Sequence, residues 1–467
     1  MSGGVYLGLL RPQYVSVPEG FLAALAGSAF DVDFGVDPGG KALAVAYELK
    51  AAGRTSATLK YHETRPRKAA DLDKFGAALK AAGLESADDQ RQLAEAVAAG
   101  IAGSRPRDGK VRATIPITAS LALAQNLSGL VGSKNPPNVA AILEQLFELG
   151  APAGSEGDPG AAMLWVRAAE HRSAVDPVVR AIDDAVGTSF FSSRPQHSGG
   201  KRIQEASDNF QDTPYAWFHQ AWTKLCRPDW VTALPARVWV DWANTVLRLA
   251  FGLGYLWEVA WYEAVARSVV SGGSHTVGEL KKEVGELLPW KDPSAAVSVR
   301  DVAASTKWRV MRSNGVREAI RNWINASEET GDAVGLDAMQ GDPDFRAKLT
   351  TALTDPSGTN QNLWEAINYS LLTREGTGAN ADHYGFLRKD HGPRFSLPDP
   401  GVEWLAALAS LSCPGPGGSS DVGQFLKNLR LLGLRPEMGD LVNRLEHAGV
   451  ARGSADADQA VEIRAAF

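Results

Sequence analysis

Cysteine is nearly missing from this chain: Cys226 and Cys413 are the only two in 467 residues. So few, and so far apart, they exclude a disulfide framework and fit a reducing compartment. The opening Met1-Ser2-Gly3-Gly4 lacks a basic region followed by a long apolar run, so no secretory signal is expected. Long uncharged runs are also absent. The most apolar stretch, 238–270, holds Arg248 and Glu258 with nine residues between them, and Asp241 and Glu263 flank that pair. A membrane span needs about 20 mostly apolar residues. This stretch is therefore expected to be a buried helix of a cytoplasmic protein. A strongly basic balance is missing too. The net charge of −6 excludes a globally basic nucleic-acid coat and leaves only local patches. The chain shows no nucleophile elbow, no His-Glu-x-x-His and no phosphate loop of full spacing. No cofactor and no metal is expected, and binding is the first expectation for function.

What is present is apolar and aromatic. A hydrophobic content of 44% with 13 Trp is enough for real cores and argues against wholesale disorder. The expected class is α+β and predominantly α-helical, in four parts. Residues 1–120 read as a small mixed α/β domain. Alternation at Leu43, Val45, Tyr47 and Leu49, and again at Ala57, Leu59 and Tyr61, gives a hairpin signal. Helices are expected near 69–83 and 86–102, and an edge strand at Val111–Ile117. Residues 121–300 read as a helical core domain, with helices at 121–131, 139–149, 161–171 and 175–187 and a loop over 192–213. Seven of the 13 Trp fall between 214 and 270, among them Trp239, Trp242, Trp257 and Trp261 at spacings of three and four. Such spacing fits aromatics packed between helices, with Asp229, Asp241, Glu258 and Glu263 as indole partners. The sharper alternative is a base-stacking platform. Residues 301–400 form a helical region with a basic patch and a Gly-rich loop. Residues 401–467 begin with a helix at 401–411.

The basic patch is Lys307, Arg309, Arg312, Arg317 and Arg321, interleaved with Trp308 and Trp323; between 305 and 325 it meets one acid, Glu318. Clustered cations with exposed aromatics are what phosphate and base contacts need. The plain alternative is a solvated helix face paired with Glu328, Glu329 and Asp332. A loop carrying Asp382-His383 and Asp390-His391, eight residues apart, also holds Arg388, Lys389 and Arg394. Carboxylate beside imidazole can bind a divalent metal or move protons. Spacing alone is weak evidence here, and an anion-contacting loop is the other reading. Gly252-Leu253-Gly254 has no third glycine and is expected to permit close helix packing.

The last 47 residues are the most patterned. Val422, Phe425, Leu426, Leu429 and Leu432 fall at helical spacing. Gly433-Leu434-Arg435-Pro436 breaks that helix. Met438, Leu441, Val442 and Leu445 begin a second helix, and Gly449 is placed for a left-handed cap. A polar turn, 453–458, precedes the alternation Val461, Ile463, Ala465, Phe467. This order resembles a winged helix-turn-helix module. The resemblance implies a helix over 436–448 lying in a DNA groove, with Asn443, Arg444 and His447 pointing out, and Arg452 and Arg464 meeting phosphates. Charge opposes that implication. Residues 421–467 hold six Lys and Arg against seven Asp and Glu. Groove readers draw most of their affinity from phosphate neutralisation.

Pro235-Ala236-Arg237-Val238-Trp239-Val240-Asp241-Trp242, Gly254-Tyr255-Leu256-Trp257-Glu258 and the ending from Ser454 to Phe467 look like uncharacterised accessory proteins of bacterial anti-phage defence loci. No site residues carry over from that resemblance. It implies a non-enzymatic component that works beside a nuclease, methyltransferase or ATPase. The expected partners are proteins, with DNA or RNA as further candidates. The nucleic-acid contacts would come from the patch at 307–321, from Arg388, Lys389 and Arg394, and from Asn443, Arg444 and Arg452. A pure assembly scaffold and a metal-dependent hydrolase built on the 382–391 loop are the alternatives.

Overall fold

The computed structural model describes residues 5–12, 15, 17–29, 68–104, 113–123, 139–155, 157–186, 210–273, 275–290, 302–331, 333–355, 360–378, 381–390, 395–452 and 461–467. Helix dominates among them, with 18 helices and a few short strands. The expected class, α+β and predominantly helical, is what the chain adopts. The hairpin expected at 43–61 lies outside the described residues. So do most of the loop expected over 192–213 and most of the helix expected at 121–131.

The first half supplies α1 (Glu19–Ala29), α2 (Ala69–Ala81), α3 (Gln90–Gly100), α4 (Ala119–Leu123), α5 (Val139–Leu149), α6 (Ala161–Val175) and α7 (Pro177–Val186). Asp89 caps α3 by accepting from the backbone of Arg91 and Gln92, which satisfies donors that a helix start leaves open. Of the edge strand expected at 111–117, the described residues 113–117 show a single antiparallel bridge, Ala102 to Thr114.

The Trp-rich stretch folds as α8 (Pro214–Leu225), α9 (Pro228–Ala233) and α10 (Ala236–Ser271). Each of the first two opens on proline, whose missing N–H is surplus at that position. The 36-residue α10 is the axis of the molecule and ends at Gly272, which takes φ +69°. Helices α1, α5 and α8 pack on it. So do α11 (Val277–Glu283), α12 (Val302–Thr330), α13 (Leu336–Gly341), α14 (Pro343–Thr354) and α15 (Gln361–Leu371). No described helix is long and apolar enough to cross a membrane.

Two features of α10 allow such crowding. Gly252 sits against α15, where an added Cβ would lie 2.6 Å from the Leu371 Cγ and the Ser370 Oγ. Gly254 faces α5 and α8, 3.3 Å from Leu146 and 3.2 Å from Tyr215 by the same measure. The glycines serve close helix packing, as their spacing suggests. The tryptophans are the second feature, and all seven between 214 and 270 are buried. Trp257 and Trp261, one turn apart, stack with centroids 5.6 Å apart, and Trp165 of α6 lies parallel to Trp239. Their indole N–H groups turn to carbonyls more than to acids. Trp222 donates to Ala161, Trp239 to Leu225 and Trp261 to Val5. The expected carboxylate partners pair with arginines instead: Asp229 with Arg227, Asp241 with Arg237, and Glu258 and Glu263 as described below.

Residues 5–10 run over α10 without regular structure, turning at Gly8 (φ +62°), and are held through their backbone. Trp261 Nε1 donates to the Val5 carbonyl at 2.8 Å, and the Leu7 N–H donates to the Tyr262 hydroxyl at 3.1 Å. Arg317 Nη2 donates to the Leu9 carbonyl, the Leu10 N–H donates to Gln145, and the Tyr255 hydroxyl donates to the Leu10 carbonyl. Val5, Leu7 and Leu9 are buried. Side chains from three helices thus replace the strand that would normally satisfy this backbone.

Beyond α15 comes a hairpin of β1 (Leu387–Asp390) and β2 (Phe395–Pro398), paired antiparallel with Leu387 opposite Pro398. Then follow α16 (Val402–Ser412), β3 (Ser419–Asp421), α17 (Val422–Leu431), α18 (Met438–His447), β4 (Ala451–Arg452) and β5 (Glu462–Arg464). The three strands form one antiparallel sheet in the order β3-β5-β4. Asp421 caps α17, Gly433 turns the chain at φ +69°, and Gly449 ends α18 at φ +70°. Phe425, Leu429, Leu441, Leu445 and Ile463 close a small core beneath the sheet.

Candidate binding surfaces

The basic patch lies on α12, and α12 packs against α10. That packing decides which cations reach solvent. Arg317 does not: it is buried, with Nε 3.6 Å from Glu258 and Nη1 3.0 Å from Glu318. Glu258, fully enclosed, also takes Arg11 at 3.2 Å. A guanidinium locked between carboxylates and a carbonyl has no free edge for phosphate, so Arg317 is a core residue and the surface reading of it is corrected. Arg321 is paired with Glu318 at the helix surface. Arg309 donates to Glu263 at 2.5 Å. Lys307 and Arg312 remain exposed with no ion-pair partner among the described residues, next to Trp308, which is 58% exposed. Trp323 instead packs on Phe345 and donates to Asp342. Of the five clustered cations, two therefore have no ion-pair partner among the described residues.

Arg309 and Arg312 share a cleft with α10 and α14. It measures about 360 Å³, counting its mouth. Glu263 and Arg267 line it from α10, and Ala352 and Leu353 from α14. Glu263 Oε1 accepts from Arg267 at 2.7 Å. Burial alone would raise its pKa, but the Arg309 and Arg267 guanidiniums outweigh burial and hold the carboxyl below its ordinary range.

The 382–391 loop is divided by the fold. Asp382 is drawn inward, where its carboxylate takes Arg248 of α10 in a bidentate pair at 2.9 and 3.0 Å. It also accepts the backbone N–H groups of Arg374 and Tyr384. Arg248 further donates to the Ser370 and Leu372 carbonyls. Burial would raise the Asp382 pKa, but Arg248 and these N–H groups bring it below the ordinary carboxylate value. His383 stays at the surface, 3.9 Å from Glu403. Asp390 ends β1, and His391 and Arg394 lie outside the described residues. Of the four residues singled out by spacing, Asp382 turns inward and His383 outward, while His391 and the Asp390 side chain lie outside what is described; no described group of three or more His, Cys, Asp or Glu has metal-holding geometry. Arg388 reaches Asp399 at 2.6 Å, while Lys389 is exposed. Cys226 is buried, and burial pushes its thiol pKa well up, away from nucleophilic use.

On the C-terminal part, α18 turns Leu441 and Leu445 inward and leaves Glu437, Met438, Asn443, Glu446 and His447 exposed. Arg444 points along the surface between two acids, 2.9 Å from Asp440 and 3.4 Å from Asp399. His447 Nδ1 is bonded to the Asn443 carbonyl. Arg452 is exposed on β4, and Arg464 pairs with Glu462 on β5.

Sequence reasoning missed what joins this part to the helical body. Lys224 of α8 donates to the Leu411 and Cys413 carbonyls at 2.7 and 2.8 Å, at the end of α16. Phe467 meets Trp242 edge to face. The Leu287 N–H donates to the Gly433 carbonyl. No periodicity marks such contacts, because each links residues far apart in the chain. No protein-family model matches the chain, and comparison with curated proteins finds no match.

Proposed function

We propose that this chain is a binding component of a bacterial multi-protein system, of the anti-phage defence kind, and that residues 402–467 form a winged helix-turn-helix module that docks a protein partner through the outer face of α18. The element order supports the module: helix, strand, two helices, then a pair of strands closing a three-stranded sheet. The anchoring of α16 and α17 on the helical body supports the direction, since it leaves α18 as the open side.

One observation favours protein over nucleic acid. The helix that would enter a groove offers no free guanidinium, because Arg444 is held by Asp440 and Asp399. Its exposed charges are those of Glu437 and Glu446, which repel phosphate. A mixed surface of Met438, Asn443 and His447 suits a protein contact, where aromatic, Met and neutral polar groups concentrate.

The test is site-specific photocrosslinking in the native host. A crosslinker at Met438 or Asn443 is expected to capture one recurring partner that a crosslinker at Val178, exposed on α7, does not. A parallel salt titration with random duplex and single-stranded DNA and RNA is expected to show weak, shallowly salt-dependent binding. A steep slope, at about 0.9 per phosphate neutralised, with no α18-specific partner would overturn the reading in favour of nucleic acid.

A further inference from the structure

The cleft between α10, α12 and α14 is independent of the C-terminal part. Three guanidiniums, those of Arg267, Arg309 and Arg312, line it against a single carboxylate, Glu263, leaving two positive charges uncompensated on the wall. The carboxylate fixes two of them. It accepts Nε and Nη2 of Arg267 through Oε1 and Nε of Arg309 through Oε2. A guanidinium carries five N–H donors, so both arginines keep free edges, and Arg309, the more buried of the two, is the better held. Donors pinned before a ligand arrives cost less to order when it binds. Arg312 is exposed on the same wall with no ion pair among the described residues.

The floor is different in kind. Val259 of α10, Val316 of α12 and Leu353 of α14 give it an apolar surface. The cleft is open: its volume of about 360 Å³ includes solvent at the mouth, so a ligand there would lie partly in water. A nucleic-acid backbone needs a track of cations, and the track stops here: the next two on α12, Arg317 and Arg321, are committed to Glu258 and Glu318. Glu263 in the middle of the wall would also repel a run of phosphates.

We propose that this cleft binds a small amphipathic anion, an organic phosphate or carboxylate whose charged head meets Arg312 and the free edges of Arg267 and Arg309 and whose apolar body lies on Val316 and Leu353.

Calorimetric titration of the full chain tests this with phenyl phosphate, benzoate, inorganic phosphate and benzyl alcohol as probes. At least one ring-bearing anion is expected to bind about tenfold or more tighter than either inorganic phosphate or benzyl alcohol, because head and body contribute together. Which of the two wins identifies the head group. Arg312→Ala, at an exposed position with no ion-pair partner among the described residues, is expected to weaken the winner about tenfold, the size of one charge-assisted contact. Ala352→Leu fills the floor and is expected to abolish the preference over inorganic phosphate while leaving phosphate itself within about twofold, since no charged group changes. Equal affinity for all four probes, no heat with any at millimolar concentration, or an unchanged Arg312→Ala variant would overturn the proposal. A short single-stranded oligonucleotide that binds more tightly than either ring anion, and loses that binding in Arg312→Ala, would reassign the cleft to nucleic acid and overturn it equally.

Discussion

Arg248 and Asp382 meet under the surface, their side chains only 4% and 6% exposed, from positions 134 residues apart. Each end is fully engaged, so neither is spare for chemistry. Removing one charge strands the other in a poor solvent for it. Breaking a buried pair from one side typically costs about 3–5 kcal/mol. Asp382→Asn is therefore expected to lower the urea midpoint by a loss of that order while leaving the unfolding slope unchanged. The pH dependence follows from the direction of the shift. A carboxyl held below its ordinary value of 3.8 adds stability that is complete above that pH and is lost as pH falls through the lower folded value. The gap between wild type and Asp382→Asn should be constant from pH 8 to about pH 5 and narrow below about pH 4. A gap that widens in acid would show the sign to be wrong. The sequence exposed both residues as types but not as a pair. Asp382 beside His383 reads as a ligand motif because adjacency is visible in a chain and a partner on another helix is not. Arg317 misled for the same reason, since a cation on a basic helix looks solvated until the acid opposite it is known.

Elements were more legible than partners. The helices expected at 139–149 and 401–411 follow directly from apolar residues at a period near 3.6, and they form at Val139–Leu149 and Val402–Ser412. The two C-terminal helices were legible too, because Gly433 and Gly449 mark their ends with backbone angles that glycine adopts without strain. The strand β3 was not, since Ser419-Ser420-Asp421 has no apolar alternation and owes its pairing to β5. The hairpin β1–β2 was hidden in a segment that composition alone marks as a polar, glycine-containing loop. Helix α10 tests how tightly the elements fit. A methyl at Gly252 would press on Leu371 and Ser370 at 2.6 Å, whereas at Gly254 the nearest neighbour is 3.2 Å away. Overpacking of this kind costs about 1–3 kcal/mol. Gly252→Ala is thus expected to be the more destabilising of the two, by about 1 kcal/mol or more in denaturant melts. Equal melting of both variants would mean that α15 shifts freely, against the packing described.

Across the whole molecule, buried residues from Val5 to Ile463 join one apolar cluster, and polar stitches hold its outer parts in place. Lys224 is one such stitch: its ammonium, partly desolvated so that its pKa falls, closes the carbonyl end of α16. Lys224→Met keeps the stem and removes both bonds. The two carbonyls then lose a charged donor, a loss of about 1–3 kcal/mol. Because the loss is local, limited proteolysis between Cys413 and Ser420 is expected to accelerate about tenfold, with the main melting transition little moved. Unchanged cleavage would show that Phe467 and Leu287 suffice to hold the C-terminal part. The segment over α10 has an effect in time as well as in space. Leu9 is secured by Arg317, translated 308 residues later. At roughly 5–20 residues per second, a ribosome takes about 15–60 s to cover that distance. Until α10 is made Val5, Leu7 and Leu9 lack their main cover, and until α12 follows Leu9 lacks its clasp, so a chaperone that shields apolar chain is expected to hold this segment until α12 emerges.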